Sequence, residues 1–322
     1  MLFSPVPSQE AMHIPDGFLS VLVSIILWII SAGFVAVALR KTSRDLGERQ
    51  VPLMGVLAAA VFAGQMLNFS VTGGTSGHLL GAALATILLG PWASVLVMTA
   101  VVSVQALLFQ DGGILALGAN LFNMAVVGTF VAYTVYTLLK QALKKFTWGV
   151  FAAAFLAAWA SIFIASLACA LELAVSGTSP ANVAVPAMAA IHALIGAGEG
   201  LITLGAVALL YATRKDLLHL GEAKLAGGNT GVFVGGGLLA LTLAILSPLA
   251  SSHPDGLEWV AEQHGFIETA QGSLYNIIPD YVVPGISNEA LATIAAGIIG
   301  ALVVFGVAYG VGRLETHKPA KQ

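Results

Sequence analysis

The 322-residue chain is unusually apolar. Hydrophobic residues make up 58% of it and charged residues only 9%, with a formal net charge of −3. Soluble domains carry about a quarter charged residues, so a soluble protein is excluded, and so small a charge gives no sign of nucleic-acid binding. Apolar runs reach the roughly 20 residues that a helix needs to cross a bilayer. We therefore predict an all-α integral membrane protein.

Nine approximate spans follow one another along the chain. They are residues 18–40, 51–70, 78–90, 92–110, 115–140, 148–175, 184–213, 231–250 and 291–312. Only Gly90 and Pro91 separate the third span from the fourth. This pair predicts either a tight turn between two short helices or a break within one helix.

The placement of basic residues favours the turn. With nine spans, all 13 Lys and Arg residues lie on one side of the membrane, which the positive-inside rule identifies as cytoplasmic. Merging the third and fourth spans would place the first basic cluster opposite the others. We therefore expect the N-terminus outside, the C-terminus in the cytoplasm and a chain reversal at Gly90.

The outside then receives the residues around His13, the loop 70–78, the turn 110–113, the loop 176–182 and the long segment 251–289. The last of these has no Lys or Arg but is rich in Asp and Glu, with His253 and His264. It either attracts cations or is an ordinary solvated loop. We expect an extension at 1–11, a membrane domain at 12–220, a linker at 221–230 and a two-helix domain at 231–322.

Met12 and His13 form a potential metal chelate before the first span. If Met12 carries a free α-amine, that amine, the backbone nitrogen of His13 and its imidazole Nδ1 give three nitrogens in one plane. A fourth would complete a tetragonal set that suits Ni(II) or Cu(II). His78 is the natural candidate because it ends a glycine-rich loop on the same side; alternatively, it is a cap or surface residue.

Other polar residues have two interpretations each. Asp16 either orients a metal-bound imidazole or caps the first helix, and Asn68 either borders a metal cavity or makes packing contacts. Ser76 is a further candidate for the surroundings of the ion. Polar side chains within the spans should face the bundle interior; these are Gln65, Asn68, Gln105, Asn120, Asn123, Glu172, His192 and Glu199.

The second span has small residues four positions apart, at Gly55, Ala59 and Ala63. Such a ridge suits close contact with another helix, either of this chain or of a partner. The sequence has no Walker-type phosphate loop, so ATP hydrolysis would come from another chain. A stand-alone metal channel or porter, and a membrane metalloenzyme, are the alternatives at this stage.

Two stretches resemble the CbiM/NikM family, the substrate-binding membrane subunits of energy-coupling-factor (ECF) transporters for cobalt and nickel. They are residues 12–19 (Met-His-Ile-Pro-Asp-Gly-Phe-Leu) and 73–81 (Gly-Gly-Thr-Ser-Gly-His-Leu-Leu-Gly). The last two spans, with Pro-Asp-Gly-Leu-Glu at 254–258, resemble the small CbiN/NikN partner, here fused to the same chain.

The resemblance implies a square-planar site in the plasma membrane of a prokaryote. Its ligands would be the α-amine of Met12, the backbone nitrogen and imidazole of His13, and the imidazole of His78. Pro-Asp-Gly after His13 slightly favours Ni(II) over Co(II) as the transported ion, and no catalytic cofactor is expected.

The resemblance also implies partners. These are a CbiQ/NikQ-like coupling subunit, for which the ridge at Gly55 is a candidate docking surface, and CbiO/NikO-like cytoplasmic ATPases, with membrane lipid around the bundle. Because 11 residues precede Met12, we expect either a start at Met12, removal of the extension, or another fourth ligand.

Overall fold

The structure is a computed structural model that describes residues 13–45, 50–218 and 230–316. The extension at 1–11, Met12 and the linker up to residue 229 lie outside the described residues.

The described chain is mainly helical. The N-terminal part contains α1 (Val21–Asp45), α2 (Val51–Gln65), the antiparallel strands β1 (Phe69–Val71) and β2 (Thr75–Gly77), α3 (Ala82–Leu89) and α4 (Pro91–Val104). After α5 (Leu117–Asn120) come α6 (Gly128–Ala142), α7 (Gly149–Ser176) and α8 (Ala181–Thr213). The C-terminal part contains α9 (Thr230–Leu246), α10 (Gly256–His264) and α11 (Glu289–Thr316).

Seven helices among the described residues are long and apolar enough to cross a membrane. They are Val21–Ser43, Pro91–Phe109, Leu117–Ala142, Gly149–Ser176, Ala181–Thr213, Thr230–Leu249 and Glu289–Leu314. The second and third predicted spans correspond to shorter helices, because α2 has 15 residues and α3 only eight. At 1.5 Å per residue, these helices are about 22 and 12 Å long, less than the roughly 30 Å of a bilayer core.

The chain reverses between α3 and α4. The Thr86 hydroxyl donates a hydrogen bond to the Ser94 hydroxyl (3.1 Å), and Ser94 in turn donates to the carbonyl of Ala82 (3.3 Å). Residues on either side of Gly90 therefore lie side by side, which a single broken rod would not allow. The predicted tight turn is confirmed.

The small-residue ridge of α2 packs against helices of the same chain. Every residue of α2 is buried. Gly55 faces the ring of Phe305 and the Cβ atom of Tyr309 on α11, and Val56 closely approaches Gly236 on α9. The expectation that this ridge is a docking surface for a coupling subunit is therefore wrong. The fused C-terminal helices already occupy it.

Segments that the charge pattern assigns to one side meet at one end of the bundle. Ser76 donates its backbone N–H to the carbonyl of Pro254 (2.8 Å), and Gln271 donates to the carbonyl of Asp16 (2.7 Å). The segment between α9 and α11 thus lies against both the β-hairpin and the residues before α1. This end of the bundle also holds the candidate site.

Candidate metal centre

His13 and His78 come together although 64 residues lie between them in the sequence. Their ring centroids are 5.7 Å apart and the ring planes are inclined by 58°. His13 is only 3% exposed, and His78 is half-buried. Two imidazoles within this distance can bind a common small ligand lying between them.

Asp111 holds the ring of His13. The Nδ1 atom of His13 donates to Oδ1 of Asp111 (2.8 Å), and the hydroxyl of Tyr281 donates to Oδ2 of the same carboxylate. Nε2 of His13 is buried and has no hydrogen-bond partner among the described residues. The tautomer with a proton on Nδ1 therefore presents Nε2 as a lone-pair donor.

The Asp111 carboxylate is anionic in this environment. Burial raises the pKa of Asp111, but the positive charge that His13 carries when it is protonated and the hydrogen bonds from His13 and Tyr281 outweigh burial, so the pKa lies below its usual value. Burial and the neighbouring Asp111 raise the pKa of Tyr281 well above its usual value, so Tyr281 stays protonated as the donor. A buried anion next to two imidazoles favours a cation nearby.

The residues that follow His13 are fixed by α5 and by the turn before it. The backbone N–H of Ile14 donates to the Asn120 side chain (3.0 Å), which returns a hydrogen bond to the Ile14 carbonyl (3.1 Å). In the turn before α5, Gly113 lies so close to Asp16 that a Cβ atom at position 113 would collide with it. The position of His13 therefore depends on residues about 100 positions later in the chain.

The carboxylate of Asp16 binds backbone groups before α5. It accepts hydrogen bonds from the backbone N–H groups of Ile114 (3.1 Å) and Ala116 (2.9 Å). The start of α1 is instead capped by Ser20, whose hydroxyl accepts from Val23 (3.4 Å). The carboxylate beside His13 is Asp111, and its place in an outside turn was the only sequence signal pointing to it.

Asn68 and Ser76 contact the C-terminal part of the chain. The carbonyl of Asn68 accepts from the backbone N–H of Ser251 (2.8 Å), and the Ser76 hydroxyl donates to the carbonyl of His253 (2.8 Å). Neither residue lines the cavity between the histidines. Their contacts fix the residues before α10 onto the hairpin that leads to His78.

A cavity of about 90 Å³ lies between the two histidines. Its polar lining comes from both parts of the chain: His13, His78, Asn120, Asn123, Ser166, Cys169, His192 and Asp255. Within the described ranges, no group of three or more His, Cys, Asp or Glu side chains is arranged to hold a metal ion.

Comparison with known families assigns most of the chain. The family model described as "Cobalt uptake substrate-specific transmembrane region", CbiM, matches residues 13–217. The chain belongs to the CbiM family. A PDGLE domain matches residues 230–317, so this CbiM protein carries both modules in one polypeptide.

Full-length relatives share this two-module organisation. A putative fused nickel transport protein NikMN of Archaeoglobus fulgidus is 38% identical over 306 residues, covering 94% of this chain and 98% of that protein. The fused nickel transport protein NikMN of Rhodobacter capsulatus is 33% identical over 342 residues, covering 94% and 97%. This CbiM protein is accordingly a multi-pass membrane protein of a prokaryote and belongs to a family of nickel and cobalt transport proteins.

Two solved structures resemble about two thirds of this chain. A truncated transition metal transporter is 36% identical and superimposes with a TM-score of 0.56, covering 62% of this chain and 98% of that chain. A second transition metal transporter is 34% identical with a TM-score of 0.57, covering 67% and 100%.

Replacing Asp111 with alanine should destabilise the protein strongly. The change leaves Nδ1 of His13 and the hydroxyl of Tyr281 buried without their partner, and each buried donor left unsatisfied costs about 1–3 kcal/mol. Chemical denaturation in detergent measures the free energy of unfolding. Asp216→Ala is the control, because the partly exposed Arg214–Asp216 bridge (2.9 Å) contributes about 0–1 kcal/mol. Equal stability of the two variants would contradict this assignment.

Proposed function

We propose that this chain is the substrate-binding membrane component of an ATP-driven ECF-type importer of Ni(II), with Co(II) as the alternative ion. The observation that carries the proposal is the convergence of His13 and His78 beside anionic Asp111 in a cavity at one end of the bundle. The names of the fused relatives, which are nickel transport proteins, support the choice of ion.

The proposed ligands are the α-amine of Met12, the backbone nitrogen and Nδ1 of His13, and the imidazole of His78. In the structure, Nδ1 of His13 faces Asp111, so chelation through Nδ1 requires the ring to turn about its Cβ–Cγ bond. Asp111 would then remain beside the ion as an anion without its histidine partner. Its charge would offset that of the cation in a poorly solvated cavity.

The proposed orientation places this site outside the cell. The contacts among the loops at the candidate site support it, because each of those loops falls on the outer side when the basic residues are cytoplasmic. Lys140 donates to the carbonyl of Leu218 (3.4 Å), which agrees with a common side for two of the segments assigned to the cytoplasm.

The proposed partners are a transmembrane coupling subunit and cytoplasmic ATPases. The sequence has no phosphate-binding loop of its own, which supports a separate source of ATP hydrolysis. Because α9 and α11 cover the ridge of α2, the coupling subunit would have to dock on a different surface. In this arrangement, the chain supplies selectivity and its partners supply energy.

Replacing His78 with alanine should abolish stoichiometric nickel binding to the purified protein, because it removes one of the two imidazoles proposed as ligands. Isothermal titration calorimetry measures the binding, and the intact mass of the same sample tells whether Met12 is the first residue. His264→Ala is the matched control, since His264 is exposed at the end of α10 and should leave binding unchanged. Retained nickel in His78→Ala would remove the proposed site.

The orientation predicts a clear labelling pattern. The single native cysteine, Cys169, is buried, so cysteines introduced at the exposed positions Ser252 and Lys144 should dominate the signal. A membrane-impermeant maleimide should label Ser252→Cys in intact cells and Lys144→Cys only after the membrane is opened. The reverse pattern would place the site in the cytoplasm.

Transport against a gradient separates the importer from a stand-alone channel or porter driven only by the ion's own gradient. Vesicles containing this chain, its coupling subunit and the ATPases should accumulate radioactive nickel above the external concentration only when ATP is supplied. A passive pathway only equalises the nickel concentrations on the two sides of the membrane, and adding ATP does not change that result. Accumulation by this chain alone, without nucleotide, would contradict the ECF-type role.

A further inference from the structure

The segment that carries His78 has no regular secondary structure. Residues 78–81 lie between β2 and α3 and are packed against the surrounding helices, with Leu80 only 3% exposed. Buried backbone N–H and C=O groups outside helices and sheets require side-chain or water partners. The location of His78 therefore depends on what binds this backbone.

Glu199, in the middle of α8, binds it directly. One carboxylate oxygen accepts the N–H of Leu80 (2.7 Å), and the other accepts the N–H of Gly81 (3.1 Å). The amide of Gln65 on α2 donates to the carbonyl of Leu80 (2.8 Å). Both side chains are fully buried, so water does not compete for these hydrogen bonds.

The same face of α8 also fixes the residue before His78. Ile195, one turn before Glu199, packs so closely against Gly77 that a Cβ atom there would lie 2.5 Å from its Cγ2. Contacts from α8 thus flank His78 at Gly77 and at Leu80–Gly81. The backbone of His78 cannot shift without disturbing one of them.

We propose that Glu199 is a positioning residue for the metal site, which sets the location of the His78 imidazole relative to His13. This inference rests on the proposed function, because it assigns a role within the same site. A simpler role of Glu199, satisfying backbone groups for stability alone, predicts loss of stability without a specific loss of metal affinity.

The test is Glu199→Gln in the full-length protein. The amide of glutamine keeps the size of the side chain but replaces one acceptor with a donor that faces a backbone N–H, so one of the two hydrogen bonds is lost. We expect the dissociation constant for Ni(II), measured by calorimetry, to rise about 10- to 100-fold, the usual effect of removing support from a metal ligand. The visible absorption of bound nickel should change as the His78 nitrogen moves.

Thr203→Val is the matched control. Thr203 lies one turn further along α8, is fully buried, and its hydroxyl has no hydrogen-bond partner among the described residues. This variant should bind nickel with wild-type affinity and give the wild-type absorption spectrum. Thermal unfolding of each variant separates loss of affinity from loss of folding.

Gln65→Met is the second variant, and it tests the proposal if Glu199→Gln does not fold. It removes only the hydrogen bond to Leu80 at nearly constant volume, and it should weaken nickel binding in the same direction. A folded Glu199→Gln protein with wild-type affinity and spectrum would overturn the proposal, and so would loss of folding in both variants. A wild-type protein that binds no nickel would instead refute the proposed function.

Discussion

The structure depends on one constraint: the two histidines lie on irregular backbone inside a very apolar bundle. Such backbone cannot leave its polar groups unsatisfied away from water. The residues after His13 are held by Asn120, and those after His78 by Glu199 and Gln65. Polar side chains on helices thus supply the hydrogen bonds that backbone groups find within a regular helix or sheet. The cost of burying these side chains is offset by the hydrogen bonds they make.

The second requirement is a carboxylate beside the histidines. Asp111 is the carboxylate that contacts His13, and it receives one hydrogen bond from His13 and one from Tyr281. Tyr281 lies within the PDGLE domain, whereas Asp111 lies within the CbiM region. Together with the contact between Ser76 and His253, this links the C-terminal module to both histidine-bearing segments. The two modules therefore form one site.

Much of this arrangement was predictable from the sequence. Hydropathy identified the helical bundle, the positive-inside rule favoured the reversal at Gly90, and the cost of polar groups in hydrocarbon placed Gln65, Asn120 and Glu199 in the interior. The lengths of α2 and α3 were not predictable, because an apolar run looks the same whether its backbone is helical or extended. Met66 and Leu67 after α2, and Leu79 and Leu80 before α3, are as apolar as the helices beside them, yet they lie outside any helix.

The partners of individual carboxylates were also beyond sequence reasoning. Asp16 follows His13 closely, but its hydrogen bonds go to Ile114 and Ala116, while the distant Asp111 contacts the imidazole. Likewise, the small residues of α2 indicated close contact with another helix, but they did not indicate that α9 and α11 of the same chain make this contact. Such pairings depend on how loops from separate parts of the chain meet, and local patterns carry no information about that.

X-ray absorption spectroscopy of the nickel-loaded protein tests most directly whether His13 and His78 bind one ion together. Multiple scattering from imidazole rings reports how many histidines coordinate each nickel. The account predicts two imidazoles per ion within an all-nitrogen shell. A shell dominated by oxygen, or one without imidazole scattering, would contradict it.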